Sequence, residues 1–213
     1  MNKNEPKALL VTRILMVLIG NLFIGVGVAA FKFACLGNDP FDGMNMALSD
    51  LTGIYYPLLQ IIVNVCFFVI QIIWGRKLIG FGTVINALLL GYVVDFSYKI
   101  MTSIWALPGS LVIKILIMLL GLILTGFGLS LYQTSDMGVA PYDALALIMD
   151  KKIKKLPYFW CRIICDASCA LVCFLAGGVM GPGIIVSAFG FGPVISFFNR
   201  FVSVPLIKKH QTA

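Results

Sequence analysis

The chain has 213 residues, 60% of them apolar and only 12% charged, with a mean hydropathy of +1.00. So few charges cannot cover the surface of a soluble domain of this length, which excludes a soluble globular protein. The net charge of +7 comes from basic residues scattered at the ends of apolar segments, so it marks no nucleic-acid-binding stripe.

Residues 1–10 read as a polar N-terminal tail, and 11–33 as the first membrane span, since a bilayer needs about 20 apolar residues per helix. Lys3 and Lys7 precede this segment, as in a signal peptide. It is longer than a signal core, however, and has an internal counterpart, so it is expected to stay in the protein. It carries Gly20, Gly25 and Gly27, which favour close helix packing in lipid, with a hinge as the second reading.

A short motif follows: Gly37-Asn38-Asp39-Pro40-Phe41-Asp42-Gly43-Met44-Asn45. Glycine permits a tight reversal, proline suits the first helical position, and an acid at the third position suits a helix start. The stretch after it, Phe41 to Leu51, is apolar but too short to span, which predicts a re-entrant or interfacial half-helix. The second span covers 55–75 and places Gln60 and Asn64 four apart on one face. Arg76 and Lys77 close it. The third span, 79–103, opens on Gly80-Phe81-Gly82 and carries Asn86 and Asp95.

From about residue 109 the chain repeats itself. At an offset of 101, seven glycine pairs coincide: 20/121, 25/126, 27/128, 37/138, 80/181, 82/183 and 91/192. Pro40/Pro141, Asp42/Asp143 and Phe96/Phe197 join them. Chance would give about one such glycine match, so the repeat is real. Copy two supplies spans at 109–132, 157–176 and 180–203. It also echoes the motif as Gly138-Val139-Ala140-Pro141-Tyr142-Asp143-Ala144, which predicts a second half-helix over Tyr142 to Met149. With one inserted residue, Gln60 and Asn64 match Arg162 and Asp166, an intramembrane ion pair.

These elements predict an all-α membrane protein of about six transmembrane helices. Repeat one covers 11–104 and repeat two 109–203, with a C-terminal tail at 204–213. With the N-terminus in the cytoplasm, 12 of the 16 Lys and Arg fall inside: Lys3, Lys7, Arg13, Arg76, Lys77, Lys151, Lys152, Lys154, Lys155, Arg200, Lys208 and Lys209. Asp39, Asp42 and Asp50 fall in the first outside loop, bordered by Lys32. Three spans per copy is odd, so the two copies must be inverted relative to each other, and the swapped loop charges agree. Both termini are then cytoplasmic, in a bacterial inner membrane.

Inverted half-helices would bring their N-termini and the two aspartates together. The site expected there comprises Asp42, Asp143, Asp166, Arg162, Asn64 and Gln60, with Gly37, Pro40, Gly138 and Pro141 shaping the two motifs. Two readings stand beside each other. Asp42 and Asp143 cap their helices, or they also bind a cation or carry a proton. The Gln60/Asn64 and Arg162/Asp166 faces are structural glue or line a polar pathway.

Cys161, Cys165, Cys169 and Cys173 stand at steps of four on the fifth span. The first and last are about 18 Å apart at 1.5 Å per residue, so one metal cannot reach all four, and packing is the expected role. Trp74, Trp105 and Trp160 sit near segment ends and read as interface anchors. The only histidine is His210, and no hydrolase, P-loop or dinucleotide signature occurs in a fitting context. We expect no enzyme activity, no metal and no cofactor.

The two motifs, with Gly-Pro-Gly-Ile-Ile-Val-Ser-Ala-Phe-Gly-Phe-Gly-Pro at 181–193, resemble the YczE/YyaS/YitT group of bacterial integral membrane proteins, nearest its YczE-like branch. The resemblance covers about residues 10–203. It implies a polytopic inner-membrane protein of transporter-like character and adds little on mechanism. Ala140 and Ala144 depart from Asp39 and Gly43 of the first copy, which breaks strict equivalence of the two sites.

The expected function is a small transporter or channel for a small solute or ion, with its site between the repeats. The alternative is a non-transporting scaffold or regulatory partner of another membrane protein. The expected partners are the lipid bilayer, an unidentified small solute or ion and a second copy of the chain as a homodimer, with no nucleic acid.

Overall fold

A computed structural model describes residues 7–153 and 158–211. Lys3, Lys154 and Lys155, which carried part of the charge argument, lie outside the described residues, as does most of the tail at 1–10. The described residues form helices and no strand. They are α1 (Lys7–Ala34), α2 (Pro40–Thr52), α3 (Tyr56–Trp74), a 3₁₀ turn (Arg76–Leu78), α4 (Phe81–Ile104), α5 (Leu111–Thr134), α6 (Pro141–Lys152), α7 (Tyr158–Leu175), α8 (Pro182–Phe198), a π-helical stretch (Asn199–Ser203) and α9 (Val204–Gln211).

Among the described residues, five helices are long and apolar enough to cross a membrane: Ala8–Ala34, Tyr56–Trp74, Phe81–Ile104, Leu111–Thr134 and Pro182–Lys208. The last runs through the π-helical stretch into residues the sequence assigned to a tail. The fifth sequence segment, 157–176, forms the 18-residue helix α7 and carries Arg162 and Asp166.

The short helices start where the motif chemistry says they should. Asp39 is the N-cap of α2: its carboxylate accepts the Asp42 backbone N–H at 3.2 Å, and Pro40 follows at the first turn. Gly53 ends the helix in the left-handed conformation, its N–H returning to the Ser49 carbonyl at 2.9 Å. In α6, Pro141 opens the helix but Ala140 offers no side-chain cap, and Lys151 and Lys152 occupy the last turn, where they suit the helix dipole. In α2 the capping that one reading gave to the third-position acid belongs to Asp39, three residues earlier. Asp42 is left free to turn elsewhere.

Neither short helix lies flat on a surface. Pro40, Phe41, Asp42, Met44, Asn45 and Ala47 of α2 are buried, and so are Pro141, Tyr142, Asp143, Ala144, Ala146 and Ile148 of α6. The loop before α2 turns back along α1, and the Asn38 amide donates to the Val28 carbonyl at 3.4 Å. α2 packs chiefly on α7, and α6 lies between α3 and α7. The row of Cys161, Cys165, Cys169 and Cys173 is buried against Phe41, Met44, Ala47, Tyr142 and Ala146. All six cysteines are free, and this row packs α7 onto both half-helices, the role expected of it.

The central contact is between α1 and α5. Gly20 lies against Gly128, and Gly27 against Gly121, so rising numbers on one helix meet falling numbers on the other and the two run antiparallel. A Cβ on Gly27 would fall 2.7 Å from the Gly121 carbonyl oxygen and closer still to the Thr125 hydroxyl. Backbone blocks that side, so the helices would have to separate. Gly27→Ala is therefore expected to destabilise the fold by about 1–3 kcal/mol. Gly192→Ala, which meets nothing within 4 Å, should leave the thermal unfolding midpoint in detergent unchanged or slightly raised. Equal midpoints for the two variants would contradict this packing.

The loops before the two half-helices are built alike. Gly37 has φ +91° and rests on the backbone of Gly181; Gly138 has φ +105° and rests on Gly80. Gly183 N–H donates to the Leu36 carbonyl at 2.8 Å, and Gly82 N–H to the Met137 carbonyl at 2.7 Å. The glycines at 80–82 and 181–183 thus dock the start of α4 and α8 onto the opposite half's motif loop, where a side chain would not fit.

Candidate functional site

The two half-helices meet tip to tip. The ring of Phe41 stacks on that of Tyr142, with centroids 4.4 Å apart and planes 12° from parallel. One small cavity is lined from both sides by Asp39, Asp42, Asn64, Asp143 and Arg162, together with Asn86 and Thr125. Four of the six polar residues expected at the site line it directly; Gln60 and Asp166 reach it through hydrogen bonds.

On the first side, Asp42 is 4% exposed and accepts from the Tyr56 hydroxyl at 3.1 Å and the Gln60 amide at 2.9 Å. Both donors are neutral. Among the described residues no Lys or Arg forms an ion pair with Asp39 or Asp42. Gly91 leaves the room Gln60 needs, since a side chain there would collide with its amide oxygen. Asn64 is 2% exposed, and its Oδ1 has no hydrogen-bond partner among the described residues.

The second side solves the same layout with charge. Asp143 takes the place of Asp42 and Arg162 that of Gln60. Arg162 pairs with Asp143 and, through Nε at 3.3 Å, with Asp166. The Tyr142 hydroxyl also donates to Asp166, and the Arg162 guanidinium lies 4.8 Å from the Tyr142 ring centroid. The ion pair expected within α7 is thus one arm of a three-residue bridge that ties α6 to α7. Breaking either arm would strand a buried carboxylate.

A larger cleft of about 390 Å³ opens beside this bridge. Asp39, Asp143, Arg162 and Asp166 line one wall; Ser187, Phe191 and Ser196 of α8 belong to the other. α7 and α8 touch only slightly, so the cleft runs between them. It joins a polar cluster to a space large enough for a small molecule.

Several members of the site escaped the sequence reading. Asp39 was placed only as an acid of the outer loop, yet it caps α2 and faces both cavities. Its position just before Pro40 was the available signal. Tyr142 and Phe41 are ordinary apolar positions by pattern. Asn21, within the first span, meets the Asn86 amide at 2.8 Å, and Thr125 lies in the fourth span where nothing in the repeat marks it. Asp95 stands apart from the site: it pairs with Lys99 at 2.8 Å and accepts from Tyr55.

A family model described as a family of unknown function (DUF6198) matches residues 11–200, both motifs included. The chain belongs to the DUF6198 family. Among its relatives is an uncharacterized membrane protein, YczE of Bacillus subtilis (strain 168), 24% identical over 179 residues, or 84% of this chain and 81% of that one. YyaS of the same organism is 23% identical over 199 residues, 90% of this chain and 92% of the relative. An uncharacterized protein of Haemophilus influenzae is 24% identical over 182 residues, 84% and 80%. These bear out the likeness to the YczE/YyaS group read from the motifs. No solved structure matches the chain. With five helices of spanning length and a relative named as a membrane protein, the DUF6198 chain is a multi-pass membrane protein.

Proposed function

We propose that this protein is a small transporter or channel of the bacterial inner membrane, with its pathway between two inverted repeats. The observation that carries the reading is the meeting of two half-helix N-termini, Phe41 on Tyr142, over a cluster of buried polar groups. Discontinuous helices aimed at a shared polar site are a recurrent plan of secondary transporters. Ionisable groups are costly inside a membrane and are retained there for function.

Inversion is supported by pairs of contacts that exchange under the repeat. Gly20 on Gly128 exchanges with Gly121 on Gly27; Gly25 on Val93 with Gly126 on Val194; Gly37 on Gly181 with Gly138 on Gly80. Helix starts follow the same rule, with Pro40 and Pro141, Phe81 and Pro182. An axis lying across antiparallel α1 and α5 turns one half upside down onto the other. α7 completes a set of six spans, and both termini lie in the cytoplasm.

The site acts by binding and release, without catalysis. Asp42 and Asp143 couple to a cation or proton, the Arg162 bridge holds the second half-helix in place, and the cleft beside it admits the solute. Flux in proteoliposomes under an imposed ion gradient tests this, using panels of inorganic and organic ions. Flux above that of protein-free vesicles is expected.

The scaffold reading is favoured by one feature. α8 buries only Gly183 and Ser187 and leaves Ile185, Phe189 and Phe197 exposed. Lipid covers such a face, and so does a second copy of the chain or another membrane protein. A scaffold would co-purify with its partner and show no flux alone.

A further inference from the structure

We propose that the small cavity between the tip of α2 and helices α3 and α5 binds a sodium-sized monovalent cation. This deepens the transport reading of the same site, but it stands on the cavity and not on flux.

Two buried acceptor oxygens on residues that line this cavity have no hydrogen-bond partner among the described residues, Asp39 Oδ2 and Asn64 Oδ1; the Thr125 hydroxyl, also unpaired, lies against Gly27 of α1. Asn64 is 2% exposed. A buried acceptor left unpaired costs about 1–3 kcal/mol, so two around one space point to an occupant that satisfies them. Both atoms are acceptors, which a cation satisfies as a water would.

Charge points the same way. Four carboxylates (Asp39, Asp42, Asp143, Asp166) against one guanidinium (Arg162) leave a formal charge of −3 at the tip of the two half-helices. Two helix N-termini at roughly +0.5 each do not cancel it. Arg162 is already committed to Asp143 and Asp166. The unbalanced charge therefore sits at Asp39 and Asp42, beside Asn64.

The ligand set selects the kind of cation. Carboxylate and amide oxygens are hard donors, suited to alkali and alkaline-earth ions rather than soft metals. No cluster of three His, Cys, Asp or Glu suited to a metal ion occurs among the described residues. A mixture of neutral and anionic oxygens beside a guanidinium favours a single charge over a double one. The cavity measures about 60 Å³; one water needs about 10–15 Å³, so a partly dehydrated alkali ion fits with a few waters.

The test is equilibrium binding of ²²Na⁺ to the purified protein in detergent, with choline replacing sodium at constant ionic strength. Saturable binding near one ion per chain is expected. Asn64→Leu keeps approximate size and removes one oxygen; Asp39→Asn keeps a capping side chain and removes a charge. Each is expected to weaken binding at least tenfold while eluting from size exclusion as the parent protein does. Absence of saturable binding in the folded parent, as when the acids hold protons instead, overturns the inference. So does parental affinity in every variant that folds. Flux without sodium binding would sink the cation site alone, whereas sodium binding without flux of any ion tested would sink the transport reading alone.

Discussion

Arg162→Gln is expected to lower stability more than any other single polar replacement in this protein. The guanidinium ties Asp143 of α6 to Asp166 of its own helix. Their side chains are 12% and 13% exposed, and that of Arg162 is 29% exposed. Removing the cation leaves two carboxylates close together with no counter-charge. Breaking such a buried pair costs about 3–5 kcal/mol, and exposure towards the cleft places this case near the lower figure.

The first half of the chain supplies the rescue. There the equivalent positions hold Gln60 and Asn64, and the amide of Gln60 satisfies Asp42 at 2.9 Å. Arg162→Gln with Asp166→Asn rebuilds that neutral arrangement around Asp143 and keeps the cluster's formal charge. Most of the lost stability should return in the double variant. Thermal unfolding in detergent reads both. If the single variant melts with the parent, or the double variant is worse than the single, the bridge is not what holds α6 to α7.

The second large effect is on flux. Asp42→Asn removes a charge while an amide oxygen still accepts from Tyr56 and Gln60, so the protein should fold. Asp143→Asn leaves Arg162 paired with Asp166. Both variants are expected to lose at least tenfold in proteoliposome flux, with Asp42→Asn the more severe because its carboxylate has no guanidinium beside it. Parental flux in both would remove these acids from the pathway and with them the site as described.

Much of the architecture was legible because its causes are local. Continuous apolar runs must be helices in lipid, since every backbone group has to be satisfied within its own segment. The expected spans at 55–75 and 79–103 became Tyr56–Trp74 and Phe81–Ile104. Proline at the first turn placed the start of both half-helices to within a residue. The half-helices' burial, left open between re-entrant and interfacial, needed the third dimension: α2 hides its apolar face only because the cysteine row of α7 receives it.

What stayed hidden depends on partners far along the chain. Position three is a common place for a cap, so the sequence leaves Asp42 between a capping role and a site role; Tyr56 and Gln60, 14 and 18 residues on, claim its carboxylate. Thr125 and Asn21 resemble the polar residues that any span tolerates, and only the meeting of α1, α4 and α5 sets Thr125 beside the acids and Asn21 on Asn86. The break at the end of α8 is similar. Asn199, in the π-helical stretch, accepts from the hydroxyls of Ser130 at 2.7 Å and Thr134 at 2.9 Å, contacts that span more than sixty residues.

The central claim is that the two half-helix loops enter from opposite faces of the membrane. Cys35 and Asp136 test it most directly. They are repeat equivalents, both exposed and both at φ +54°, at the ends of α1 and α5. One variant keeps Cys35 as its only cysteine; the other is cysteine-free except for Asp136→Cys. Both are labelled with a membrane-impermeant maleimide in intact cells and in inside-out vesicles. The inverted arrangement predicts labelling of Cys35 in cells and of position 136 in inside-out vesicles. Labelling of both positions from one common face would contradict it and would remove the basis for a pathway between the repeats.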